Sequence, residues 1–149
     1  MSHLDGLHIV PIGRVENKYD DVTKASWAKV KSSVLINEKF VDALNGLGGF
    51  SHIFVIGWLH LFPDDLRNRM SALPRGDSAL PELGSLALRG ARPNPFSVTV
   101  CKLLKVDRNS VRVEGLDLVD GTPVLDIKPY IPEYDSNPTA ILPEWAYEN

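Results

Sequence analysis

The stretch Asp117-Leu118-Val119-Asp120-Gly121-Thr122-Pro123-Val124-Leu125-Asp126-Ile127-Lys128-Pro129-Tyr130 constrains the fold more than any other part of the chain. Asp120-Gly121 marks a tight turn, because glycine tolerates positive φ and an aspartate side chain can bond the backbone just ahead of it. Thr122-Pro123 stiffens the chain as it enters Val124-Leu125-Asp126-Ile127, an apolar run that reads as a buried strand. Asp126 is the odd residue there, since an ionised carboxylate inside a strand costs several kcal/mol unless it is paired. Either it bonds loop amides or an arginine and pins the turn, or it faces a ligand. A second rigid segment upstream, Arg89-Gly90-Ala91-Arg92-Pro93-Asn94-Pro95-Phe96, favours the ligand.

A chain of 149 residues is read as one domain, long enough to bury a sizeable core. Its hydrophobic share of 44% and charged share of 23% are ordinary for a globular protein. No run approaches the roughly 18 apolar residues of a membrane span. The start, Met1-Ser2-His3-Leu4-Asp5, lacks the basic and apolar regions of a signal peptide, so a cytoplasmic protein is expected. Cys101 is the only cysteine, which excludes an internal disulfide and a cysteine-based metal motif. Following Val98-Thr99-Val100, it reads as a buried structural thiol.

Net charge is −3, which argues against a generic nucleic-acid binder, but the charge is unevenly placed. Residues 1–60 hold six Lys/Arg against six Asp/Glu, residues 61–112 nine against five, and residues 113–149 one against eight. The middle stretch therefore offers a local basic surface through Arg67, Arg69, Arg75, Arg89, Arg92, Lys102, Lys105 and Arg108. For most of these a solvated mixed surface is the plainer reading.

Strand patterns dominate. Leu7–Val15 is expected as a first strand, with Pro11 hinting at an edge or bulge, and Lys29–Ile36 as a second. Asn37 suits a helix N-cap, with Phe40, Val41, Leu44 and Leu47 at helical spacing and Gly46, Gly48 and Gly49 closing it. His52–Leu61 is apolar enough for a central strand, and a short helical turn is expected over Asp64–Met70. Residues 71–84, rich in Pro, Gly and Ser, read as a long mobile loop. Phe96–Val106 and Ser110–Val119 are two further strands, and residues 131–149 an irregular tail. Numerous strands joined by hairpins around one main helix predict a mainly β fold, a closed or nearly closed antiparallel barrel. With no βαβ alternation and no Gly-x-Gly-x-x-Gly after a strand, a Rossmann nucleotide site is not expected.

Taken in order, Pro11-Ile12-Gly13, Gly49-Phe50-Ser51-His52-Ile53, Arg92-Pro93-Asn94-Pro95 and Leu116 to Tyr130 resemble the TsaA-like (TrmO) family of S-adenosylmethionine-dependent tRNA methyltransferases over roughly residues 8–135. The resemblance implies a single antiparallel barrel that binds S-adenosylmethionine at a homodimer interface. It also implies methylation of the exocyclic amine of threonylcarbamoyl-adenosine beside the anticodon of certain tRNAs. The family's Ala-Thr-Arg segment corresponds to Ala87-Leu88-Arg89, which makes Arg89 the choice for a cofactor-contacting cation, suited to a bidentate pair with the methionine carboxylate; the alternative is a pair with a protein carboxylate such as Asp126. Asp120, Gly121, Thr122 and Pro123 match the family's cofactor loop, whose backbone amides, with the Asp120 carboxylate, are expected to meet adenine edges and ribose hydroxyls. His60 aligns with a family histidine and is either a cofactor contact or a core or rim histidine. Arg92, Pro93, Asn94 and Pro95 are expected to act by shape, because the prolines fix their own φ and restrict the residues before them. Methyl transfer depends mainly on alignment, worth roughly 7–11 kcal/mol when held near attack geometry. Asp126, Tyr130 and His60 are the candidates for taking the acceptor's proton. The resemblance also makes tRNA a partner for a basic surface of Arg67, Arg69, Arg75, Arg92, Lys102 and Lys105.

The chain departs from the family pattern at several points. Residues 20–27, Asp-Asp-Val-Thr-Lys-Ala-Ser-Trp, replace a Pro-Arg-Gln-like stretch, Leu61 replaces a glutamine, and Leu88 replaces a threonine. Ser97 stands where a glycine is common, the loop from Arg89 to Arg92 is one residue shorter, and the smaller C-terminal domain of many bacterial members is not expected. These differences leave open a methyltransferase of the same fold acting on a non-tRNA amine, or a non-catalytic S-adenosylmethionine or RNA binding module.

Overall fold

Valines placed at every second residue force the β pattern, and the strands they build close on themselves. In the computed structural model, which describes residues 6–147, two units separate: Met1–His60 with Phe96–Tyr130, and Leu61–Pro95 with Ile131–Asn149. In the first unit, β1 (Gly13–Glu16), β2 (Lys31–Ile36) and β3 (His52–Trp58) precede three later strands of the same barrel. The second unit contributes β4 (Ser71–Ala72) and β5 (Leu83–Gly84); the barrel is completed by β6 (Phe96–Asp107), β7 (Ser110–Glu114) and β8 (Pro123–Pro129). The barrel order is β1-β2-β7-β6-β3-β8, and every pairing is antiparallel.

Val15, Val34, Ile53, Val55, Val111, Val113 and Val124 point inward and are fully buried, with Leu116 sealing the same core. Each such side chain contributes about 1.5–3 kcal/mol. Gly13 of the Pro-Ile-Gly segment lies opposite Ile36 and Val124, and a Cβ there would overlap the carbonyl oxygen of Leu35. That crossing of three strands admits only glycine.

Several elements are shorter or tighter than expected. The first strand starts at Gly13 rather than Leu7, because Pro11 has no N–H to give to a ladder. The expected helix after Asn37 is instead a 3-10 run, Glu38–Leu44, followed by another at Leu47–Gly49. Asn37 makes no cap bond; its side-chain amide donates to Pro11 O at 3.2 Å, and the glycines beyond Asn45 stop the turns from propagating. β3 ends at Trp58, short of Leu61, and β7 ends at Glu114, short of Val119.

In the second unit the expected mobile loop over 71–84 is bracketed by a small ladder, with Ser71 opposite Gly84 and Ala72 opposite Leu83. Ser71 Oγ donates to Glu82 at 2.7 Å, and Arg75 reaches Trp145 O at 3.0 Å. The tail is not wholly irregular. Pro132–Asp135 forms a helical turn, α1, capped from below by Asp135 accepting the Ile131 amide at 2.8 Å, and Glu144–Ala146 forms a 3-10 turn. Among the described residues no helix is long and apolar enough to cross a membrane.

Candidate functional site

The turn before β8 is tied to β1 by its own backbone. The Asp120 amide donates to Tyr19 O at 2.7 Å, the Gly121 amide to Val15 O at 2.8 Å, and the Thr122 amide to Val119 O at 3.2 Å. Gly121 sits at φ +80°, the left-handed conformation its position in the turn requires. The expectation that these amides meet a ligand is therefore corrected, because all three are already engaged. Thr122 is corrected too: it is buried, and its hydroxyl donates to Val119 O at 2.7 Å. Pro123 begins β8 opposite Arg14 and shapes the exit from the turn.

Two polar groups at this turn remain exposed, the Asp120 carboxylate and the His60 imidazole. One Asp120 oxygen accepts the Asn17 amide at 3.1 Å, which leaves the other free for a ligand. His60 Nε2 lies 3.8 Å from the point where a side chain at Gly121 would begin, so the barrel brings His60 over the turn from a distant part of the sequence. An anionic acceptor beside an imidazole suits a pair of vicinal hydroxyls or a heterocycle edge.

Asn17 was not singled out in the sequence, yet it organises this corner. Its Nδ2 donates to Ser32 Oγ at 3.0 Å and to Leu118 O at 2.9 Å, while its Oδ1 accepts the Tyr19 amide at 2.9 Å. Its signal is weak, an Asn just past a strand, and only the packed barrel gives it three partners.

Asp126 departs from expectation. A β-bulge lies between Ile56 and Gly57: Ile56 faces Asp126, but Gly57 faces Val124, so Leu125 is left unopposed. The extra residue flips the alternation. Val124 and Ile127 both turn toward the core, and Asp126 turns out beside Ile56 with its side chain half exposed. Its oxygen accepts the Ile127 amide at 2.9 Å, and Lys128 Nζ stands 3.8 Å away. The buried carboxylate read from the sequence is thus a surface one. Asp126 and His60 belong to the Trp58 end of β3. Tyr130 packs at the other end, against Phe54 at 5.6 Å between ring centres, with its amide on His52 O at 3.1 Å. At about 3.3 Å per residue, the His52 and Trp58 ends of β3 lie on the order of 20 Å apart.

The second unit holds the Arg-Pro-Asn-Pro segment. Arg92 donates to the carbonyls of Leu88 and, at 3.3 Å, Gly90, and Pro95 is fully buried. Arg67 fastens the same loop, with Nε on Pro93 O at 2.7 Å and Nη2 on Asn94 Oδ1 at 3.4 Å. Arg67, Arg75 and Arg92 are therefore engaged by carbonyl and amide oxygens within their own unit. Arg89 is exposed and has no hydrogen-bond or ion-pair partner among the described residues. Arg69, Lys102 and Lys105 are also exposed, Lys105 with Asp107 at 3.7 Å.

Cys101 faces the core, and burial, with the Asp117 carboxylate adding to it, pushes its thiol up to about 12. Residues 20–27 fold on themselves. Asp21 caps the turn Val22–Lys24 through the Thr23 amide, and Asp20 pairs with Lys24 at 2.8 Å, which lowers the Asp20 carboxyl and raises the lysine.

A closed antiparallel barrel with a backbone-locked turn beneath an exposed histidine defines the TsaA-like barrel class rather than a nucleotide-binding α/β sheet. The chain belongs to the tRNA-methyltransferase O N-terminal domain family, whose model matches residues 21–136. It is 38% identical over 141 residues to a probable S-adenosyl-L-methionine-binding protein of Methanothermobacter thermautotrophicus, covering 91% of this chain and 98% of that one. A mouse tRNA (adenine(37)-N6)-methyltransferase is 37% identical over 109 residues, 72% of this chain and 24% of its own length. The crystal structure of TrmO from Pseudomonas aeruginosa superimposes with a TM-score of 0.71 at 27% identity, over 91% of this chain and 60% of that chain. The chain thus spans nearly the whole of its archaeal relative but about three-fifths of the solved TrmO chain.

Proposed function

We propose that this protein is an S-adenosylmethionine-dependent methyltransferase that methylates the exocyclic amine of threonylcarbamoyl-adenosine next to a tRNA anticodon. The observation that carries the reading is the family match over residues 21–136, which encloses both His60 and Asp120. S-adenosylmethionine supplies a methyl group on a sulfonium, already a strong electrophile. The chain's part is to bind and align. Asp120 and His60 are the groups at the turn suited to the ribose hydroxyls and the adenine edge. Asp126, on the same end of β3 as His60, is favoured over Tyr130 as the group that takes the amine proton.

The homodimer expected from the family finds support in the outer face of β3 and β6. Val98 is 60% exposed and Val100 43%, in rows with Ile56 and Phe54. Asp126 ends one row and Lys128 the other, so a second copy related by a two-fold axis would set carboxylate against ammonium twice. Calorimetric titration with S-adenosylmethionine tests the donor, and methyl transfer to unmodified and threonylcarbamoylated tRNA tests the acceptor. Saturable donor binding with transfer only to the carbamoylated tRNA is the expected result. Transfer to a small amine and to no tRNA would favour the same chemistry on another substrate.

A further inference from the structure

An open groove of about 720 Å³ lies beside β1, on the outside of the barrel. Its walls carry Lys18, Lys29, Lys31 and Arg112, against Glu16 as the one acidic residue lining it among the described residues. In a chain of net charge −3 this is a local excess of three positive charges. The barrel register explains the clustering. Glu16 of β1 stands opposite Ser33 of β2, and Ser33 opposite Arg112 of β7, so one row across three strands forms the floor. Lys31 enters on the same face of β2, and the turns around residues 17–30 fold Lys18 and Lys29 over the side.

None of the four cations has a carboxylate within ion-pair distance among the described residues; Arg112 donates only to Ser33 Oγ at 3.3 Å. Four unpaired cations held together repel one another, an arrangement that a string of anions relieves. The groove also has an aromatic side. Tyr19 is held by the edge of Trp27, ring centres 5.5 Å apart, and carries Lys18 over its face at 5.5 Å. Trp27 is itself fixed by its indole N–H on Val22 O at 2.9 Å. Unpaired cations along an open trough with a braced aromatic wall match a polynucleotide strand, whose phosphates repeat and whose bases stack. A single small anion would need a closed, convergent site, and this trough is open.

We infer that the Lys18–Lys29–Lys31–Arg112 groove holds the phosphodiester backbone of the RNA substrate, an assignment that rests on the tRNA reading above and specifies where on the barrel the RNA lies. Three of its four cations come from the charge-neutral stretch 1–60, and the fourth, Arg112, is not among the residues named for the basic surface.

The test measures fluorescence anisotropy of a labelled, unmodified tRNA transcript from low to moderate salt for wild type, Lys29→Gln/Arg112→Gln and Lys39→Gln. Each phosphate contact adds a slope of about −0.7 in log K against log salt for single-stranded nucleic acid. The double variant is expected to lose about 10-fold in affinity and to flatten the slope by about 1.4, while Lys39→Gln, an exposed cation outside the groove, matches wild type. Donor titration of the same proteins is expected to be unchanged. Wild-type tRNA binding with an unaltered double variant overturns the groove and leaves the methyltransferase reading standing. Loss of donor affinity alongside RNA affinity also overturns it, because the groove would then belong to the donor site. Groove-dependent RNA binding with no donor binding by wild type would uphold the groove and sink the methyltransferase.

Discussion

The backbone amide of Asn17 donates to the carboxylate of Asp120 at 3.1 Å across 103 residues of sequence. This bond joins the end of β1 to the turn before β8, and the Asn17 side chain reinforces it by reaching Ser32 and Leu118. The corner that presents Asp120 is thus set by a residue with no predicted role.

Asn17→Ala removes two donors and one acceptor and leaves the buried Ser32 hydroxyl without its partner. A loss of about 1–3 kcal/mol is expected, read as a shift in the urea midpoint at unchanged m-value. A midpoint within error of wild type would show that the corner is held by its backbone bonds alone.

His60→Ala and Asp120→Asn should separate binding from folding. Both side chains are exposed and neither fills the core, so the melting temperature is expected to stay within about 2 °C, corresponding to less than about 0.5 kcal/mol. Donor affinity should fall about 10-fold in each, the loss of roughly one hydrogen bond to a charged or polar partner. Unchanged titration curves for both variants would place the donor elsewhere.

Ser97 lies opposite Gly57, and its hydroxyl is buried without a hydrogen-bond partner among the described residues. An unsatisfied buried polar group costs about 1–3 kcal/mol. Ser97→Ala keeps the shape and removes the group, so it is expected to stabilise the barrel by up to about 1 kcal/mol, seen as a higher melting temperature. Destabilisation instead would mean that the hydroxyl has found a partner, such as a bound water.

Cys101 gives a pH-dependent signature. Its thiol is raised in the folded state from 9.0 to about 12 by burial, so the folded protein holds the proton more tightly than the unfolded chain. That contribution to stability is fully present below about pH 9 and declines as pH rises toward 12. At pH 8 a thiol reagent should modify Cys101 slowly in the native protein and quickly in urea; the same rate in both would contradict a core position. Cys101→Ala should flatten the alkaline fall in stability.

Local chemistry made much of the architecture legible. Alternating valines, punctuating glycines and the Asp120-Gly121 turn set the strand content and where the chain reverses, and they pointed to an antiparallel barrel without a Rossmann site. Asp126 was misplaced for a physical reason: alternation assumes an unbroken ladder, and one bulged residue at Leu125 reverses every face beyond it. The capping role of Asn37 failed similarly, because its side chain found Pro11 O in a neighbouring segment instead of the next turn.

Charge followed the same division. Summed along the chain, residues 1–60 are neutral and residues 61–112 basic, but Arg67, Arg75 and Arg92 are drawn into backbone contacts while Lys18, Lys29, Lys31 and Arg112 converge with no ion-pair partner among the described residues. The sequence by itself determined the turns, the inward valines and the motifs of the family, since these depend on φ preferences and side-chain polarity a few residues apart. Only the tertiary structure decided which face Asp126 takes, that Asn17 serves Asp120, that His60 stands over Gly121, and which cations are free. Those depend on strand register and on hydrogen bonds between segments, which join residues that no local pattern links.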